Sequence, residues 1–173
     1  MRRLAAVAGL ALALAACKRA KHDAQAVAPE QESTEASVVN MSDPGAAAQL
    51  VRGFYTLEAG VWRWTMKNFE VTLKSPPGAS ENGARLTMRL TVPEAISSKL
   101  GPVTLKAAVN GLALDPETYA KPGDYVYSRD VPAAALKGDP ILVQFACDKA
   151  IEPSPNDARE LALIAVSIGL EPK

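Results

Sequence analysis

The chain has 173 residues, 19 of them basic and 19 acidic, with one histidine, two cysteines and 48% hydrophobic residues. A charge balance this even, with no block of Lys or Arg, excludes the electrostatic footprint that nucleic acid or an anionic membrane surface requires. The length suits one hydrophobic core, and the shortage of His and Cys removes most nucleophilic triads and zinc sites.

The chain opens on Arg2 and Arg3, followed by small apolar residues from Leu4 to Ala16. This run is shorter than the ~20 residues a membrane-crossing helix needs, and with its basic start it reads as a secretory signal. It ends in Leu14-Ala15-Ala16-Cys17, which resembles the lipobox of bacterial lipoproteins. The resemblance implies cleavage before Cys17, a diacylglyceryl group on its sulfur and an acyl group on the new amine. Two or more chains anchor stably where one does not. The alternative is ordinary cleavage near Ala13-Leu14-Ala15, which leaves Cys17 a plain cysteine. Lys18 after the cysteine resembles outer-membrane sorting in two-membrane bacteria. The expected address is therefore the cell envelope, on the outer membrane, facing the periplasm or the exterior.

Removing residues 1–16 takes away Arg2 and Arg3 and leaves the rest slightly acidic. Residues 17–48 read as the lipidated cysteine and a disordered linker. They are rich in Ala, Glu, Gln, Ser and charge, and such a segment buries too little apolar surface to offset its chain entropy. A flexible tether of this length reaches about 30 Å. His22 lies in it with nothing rigid to position it.

Residues 49–173 change texture: short alternating runs are separated by turn residues, the pattern of an all-β fold. The expectation is a single antiparallel β-sandwich, jelly-roll or immunoglobulin-like. Phe69, Val71 and Leu73 share one face. Leu86, Met88, Leu90 and Val92 alternate with Arg85, Thr87, Arg89 and Thr91. Val103 to Val109 closes on Asn110-Gly111, a pair that supplies positive φ at both centres of a tight hairpin. Tyr125 to Ser128, Ile141 to Cys147 and Leu161 to Ile168 complete the set, the last apolar on both faces and so expected at the centre of its sheet. Ala46 to Arg52 and Glu94 to Lys99 each suit about a turn of helix. Cys147, inside an apolar run, reads as a small buried hydrophobe. With Cys17 lipidated it has no disulfide partner.

Two clusters carry candidate chemistry. Residues 54–65 hold both tryptophans. On a strand, Trp62 and Trp64 share one face and Arg63 the other. The pair reads either as a stacking platform for sugar rings or as a core anchor between sheets. The second cluster, residues 153–161, looks like a corner in which Asn156 or Asp157 caps a turn and Arg159 pairs with Glu58 or Glu160. Asp157, Arg159 and Glu160 alternatively line a polar site. The candidate binding residues are Tyr55, Trp62, Trp64, Tyr125 and Tyr127. The candidate structural polar cluster is Glu58, Arg63, Asp157, Arg159 and Glu160.

Tyr55-x-x-Glu58, Trp62-Arg63-Trp64-Thr65, Asp157-x-Arg159-Glu160-Leu161-Ala162 and Ile168-Gly169-Leu170 together resemble a β-sandwich module found beside bacterial glycosyltransferases and methyltransferases in surface-polysaccharide loci. Those modules carry a Glu, an Arg-Trp-Thr and an Arg-Glu-Leu-Gly, and Ala162 stands here where they have the last glycine. The resemblance implies a jelly-roll-like fold and an association with glycan chemistry, and it supplies no established catalytic role to carry over.

No histidine lies in residues 49–173, so Ser-His-Asp and Cys-His sets cannot form there. No phosphate-binding glycine loop or dinucleotide fingerprint is present. No pair of carboxylates stands out for glycoside hydrolysis. The chain reads as a non-enzyme without cofactor or metal. It is expected to be a lipid-anchored envelope protein whose sandwich binds glycan or another envelope component. The alternative is a structural or assembly lipoprotein that binds another envelope protein through a sheet edge or loop face.

Overall fold

The structure, a computed structural model, describes residues 35–173; the expected signal segment, Cys17, His22 and the expected linker up to residue 34 lie outside them. Nine strands form: β1 (Val38–Asn40), β2 (Leu50–Phe54), β3 (Arg63–Leu73), β4 (Ala84–Val92), β5 (Val103–Val109), β6 (Leu112–Tyr119), β7 (Gly123–Val131), β8 (Ile141–Cys147) and β9 (Ile164–Pro172). Two short helices, α1 (Ala79–Asn82) and α2 (Glu94–Leu100), and 3-10 turns at Pro44–Ala48 and Ala133–Ala135 fill connections. Among the described residues no helix is long and apolar enough to cross a membrane.

All pairings are antiparallel, in the order β6-β5-β8-β3-β9-β4-β7, with β1 added on β9 and β2 on β3. β3 serves both halves of this nearly closed sheet. Arg63 and Trp64 pair with β9, whereas Asn68 to Leu73 pair with β8. The sheet thus folds into two layers, β1-β9-β4-β7 and β2-β3-β8-β5-β6. Apart from the extra strand β2, successive strands alternate between layers except at the β5–β6 hairpin. That connectivity is the double Greek key of a jelly roll, and it resolves the choice that the alternation pattern left open.

The period-two pattern of β4, β5 and β8 turns every second side chain inward, as the pleat requires. Phe69 stacks on Phe145 with centroids 5.0 Å apart and meets Phe54 edge-on at 5.3 Å, and Tyr127 abuts Phe145 edge-on at 6.4 Å. This aromatic chain joins the two layers. β9 lies between β4 on one side and β1 and β3 on the other, in accord with its two apolar faces. The Asn110-Gly111 turn has φ of 46° and 84°. The Asn110 side chain also holds Ala135 O and Leu142 N, so the hairpin tip locks the start of β8. Cys147 is 3% exposed, and burial pushes its thiol up to about 12.

Two expectations need correction. Residues 35–48 are not a linker: β1 pairs with β9, and Val39, Met41 and Ala46 are buried. The cause is Gln49, 5% exposed. Its amide donates to Ala36 O at 2.9 Å and to Thr72 O at 2.7 Å while its oxygen accepts from Ala36 N at 2.9 Å. One side chain thus plays the part of a missing strand partner. The helix expected over Ala46 to Arg52 is a 3-10 turn that ends at Ala48. Asp43 caps it and Pro44 opens it; Gln49 then draws the chain into β2. The helix expected over Glu94 to Lys99 forms, as α2.

Candidate functional site

The β2–β3 connection and the loop before β9 meet at one end of the sandwich. Glu58 and Trp62 form an isolated bridge around a turn in which Glu58 O accepts from Val61 N at 3.1 Å. Its centres, Ala59 and Gly60, have φ of 50° and 70°, the primed geometry that suits a tight hairpin. From the other loop, Arg159 reaches across to Glu58 Oε1 at 2.6 Å. It also binds Asp157 through Nε to Oδ1 and Nη2 to Oδ2, both at 2.9 Å. Asp157 Oδ1 accepts from the Arg159 backbone N–H as well, which is the side-chain cap expected there. The guanidinium stands 5.6 Å from the Tyr55 ring centre, and Arg63 donates to Tyr55 O. Glu160 leaves this group: its carboxylate accepts from Lys67 N at 2.6 Å. Glu58, Arg63, Asp157, Arg159 and Tyr55 thus form one polar corner in which most charged groups are already partnered. It works as a brace between loops.

A cleft of about 450 Å³ opens on the outer face of β4, β7 and β9 beside this corner, lined by Trp62, Arg89, Thr91, Asp124, Val126 and Val166 among others. β4 sends Arg89 and Thr91 outward because Leu90 and Val92 face the core. Register then sets Val126 opposite Arg89 and Asp124 opposite Thr91. Thr91 Oγ1 donates to Asp124 Oδ1 at 2.6 Å, fixing the carboxylate. Val166 is raised by the register shift between Arg89 and Leu90 against β9. A flat indole, a guanidinium that makes no ion pair among the described residues and an oriented carboxylate thus border one hollow. Among the described residues, no cluster of three His, Cys, Asp or Glu could hold a metal ion.

The expected binding aromatics separate. Trp62 walls the cleft. Trp64 does not; it lies in β3 opposite Ile164, packed against the core. The two-tryptophan platform is therefore not assembled here. Tyr125 touches the cleft, but its ring packs on Tyr119 at 4.6 Å and its hydroxyl donates to Lys121 O. Tyr127 needs correction as a binding residue. It is 0% exposed, donates to Asp115 O at 2.9 Å and has its phenol pushed up to about 12 by burial. Strand alternation turns it inward opposite Met88. Arg89, Thr91 and Asp124 were missed as site residues. The outward polar row of β4 was visible in the sequence, but its pairing with β7 across two intervening strands was not.

No family model matches the chain, and no curated protein matches it. Among solved structures, an acetyl xylan esterase (Est2A) from the rumen bacterium Butyrivibrio proteoclasticus is similar, with a TM-score of 0.46 and 12% sequence identity, over 79% of this chain and 33% of that one. The chain spans about a third of that protein, and a likeness of this degree bears on neither activity nor ligand.

Proposed function

We propose that this chain is a lipid-anchored envelope protein whose jelly roll binds glycan without catalysis, in the cleft between Trp62 and the Arg89, Thr91 and Asp124 side chains. The observation that carries the reading is the cleft's composition. Pyranose rings offer a C–H face to an indole and hydroxyls to a guanidinium and a carboxylate, and those groups border one hollow here. An oriented polar set beside an apolar wall is how small-ligand sites gain specificity. The likeness of Leu14-Ala15-Ala16-Cys17 to a lipobox supports the anchor.

A glycan array and titration with the full chain carrying Cys17→Ser test the binding. We expect saturable binding of at least one envelope oligosaccharide, weakened about tenfold or more by Trp62→Ala, the loss of about one good contact. A blank array overturns the glycan reading. Labelling of cells with a clickable fatty acid tests the anchor; equal labelling of wild type and Cys17→Ala refutes it.

A further inference from the structure

The opposite layer carries a second hollow, unconnected with Trp62. On the outer face of β2, β3, β8, β5 and β6, register aligns Arg52, Glu70, Gln144, Ala108 and Ala113 in one row. It aligns Asn68, Ala146 and Lys106 in the next. The residues between them, Phe69, Phe145 and Ala107, are buried. The outward rows enclose a trough of about 290 Å³. Its floor is alanine at three adjoining positions, a residue that strands disfavour because it covers the pleated surface poorly.

Glu70 stands at the head of this floor. Although it faces outward it is only 9% exposed. Arg52 Nη2 at 2.6 Å and Gln144 Nε2 at 2.8 Å both donate to its Oε1. Its other oxygen accepts no hydrogen bond from the described residues and is not among their sealed, unpartnered atoms. Arg52 and Gln144 hold the carboxyl below the usual range, so the free oxygen is a charged acceptor. Lys106, across the floor, makes no ion pair among the described residues. An ion pair that merely braced β2 to β3 would explain Arg52 and Glu70. It would explain neither the alanine floor nor a cation on the far side.

We propose that this trough is a second ligand site that takes a single sugar acid, a ring bearing vicinal hydroxyls and one carboxylate. The hydroxyls donate to Glu70 Oε2, the carboxylate accepts from Lys106, and the ring lies over Ala108 and Ala146. The volume sits at the small end of ligand pockets, about 300 Å³, which suits one ring and not a chain.

The test is an NMR titration of the full chain carrying Cys17→Ser with D-galacturonate, D-glucuronate, D-galactose and acetate. We expect saturable shifts of the Asn68 and Gln144 side-chain amides and of Ala108, Ala113 and Ala146 with a uronate. Galactose should bind about tenfold more weakly, and Lys106→Gln should erase that preference. Ala146→Leu, an outward change that fills the floor, should abolish the shifts while leaving the fold intact; Glu70→Gln should weaken binding about tenfold, the scale of one charged hydrogen bond. No shift with either uronate overturns the proposal. So do equal shifts with acetate, or shifts that survive Ala146→Leu. Trp62→Ala should leave this titration unchanged, so the two sites fail or stand separately.

Discussion

Arg159 grips Asp157 with two parallel hydrogen bonds of 2.9 Å each, and the same guanidinium closes on Glu58, 101 positions earlier in the chain. Fork-to-fork pairing of this kind is both stronger and more directional than a single contact. It joins two loops that no strand pairing connects.

The grip makes stability depend on pH. Arg159, chiefly through its side-chain bonds and then through its backbone N–H, holds the Asp157 carboxyl below its ordinary value. A carboxyl lowered in the folded state contributes stability above its unfolded value, near about 4, and loses that contribution as pH falls through the folded value. Arg159→Gln should therefore melt below wild type at pH 7, with the gap narrowing below pH of about 4. A gap that stays constant down to pH of about 2 would show that only packing was lost. Thermal melts followed by circular dichroism across that range decide it.

The Glu58–Val61 turn carries a correctable strain. Ala59 has φ of 50°, where an alanine costs about 1 kcal/mol because its Cβ crowds the following carbonyl. Ala59→Gly or Ala59→Asn should raise stability in urea by about 0.5–1 kcal/mol. A loss of stability would mean that the alanine methyl makes a contact worth more than the strain.

Gly169, between Ile168 and Leu170 in β9, is required by its neighbour and not by its φ. A Cβ there would meet Val38 Cγ2 at 2.8 Å, so Gly169→Ala should cost about 1–3 kcal/mol, the range for overpacking, and loosen β1. Val38→Ala should recover most of this in the double variant, since contacting sites are not additive. Simple addition of the two losses would rule out the clash as the cause.

Cys147 should be inert in the folded protein. With its thiol pushed up to about 12 the thiolate is roughly a thousandfold scarcer than for a free cysteine. In a Cys17→Ser chain, iodoacetamide at pH 8 should modify Cys147 slowly until urea unfolds the protein, a contrast that mass spectrometry reads directly. Equal rates in both states would show an open core at β8.

How far the sequence could be read depended on range. β4, β5 and β8 were legible because their alternation is a local property of one pleated strand. The Asn110-Gly111 hairpin was legible because its turn chemistry sits in two adjacent residues. β1 and β2 were not, because both are short and depend on Gln49 bonding Ala36 and Thr72, the latter 23 positions away. Tyr127 was misassigned for a related reason. Its immediate neighbours, the exposed Val126 and the half-buried Ser128, are one apolar and one polar residue and mark no inward face; the Met88 partner, the Phe145 ring and the Asp115 carbonyl make its site an interior one.

An all-β chain with a buried Cys147, a central last strand and a polar corner around Arg159 was legible in the residue order, since each follows from the period, polarity or turn chemistry of a few consecutive residues. Which strands adjoin was fixed by long-range pairing. That choice made the fold a jelly roll, sent Trp62 to a cleft without Trp64, set Asp124 beside Thr91 and brought Glu70 to the head of an alanine trough. Most strand neighbours in a double Greek key, β4 and β7 or β3 and β8 among them, are far apart in sequence, so the residues that share an outer face are chosen by pairing register and leave no mark on the pattern of any one strand.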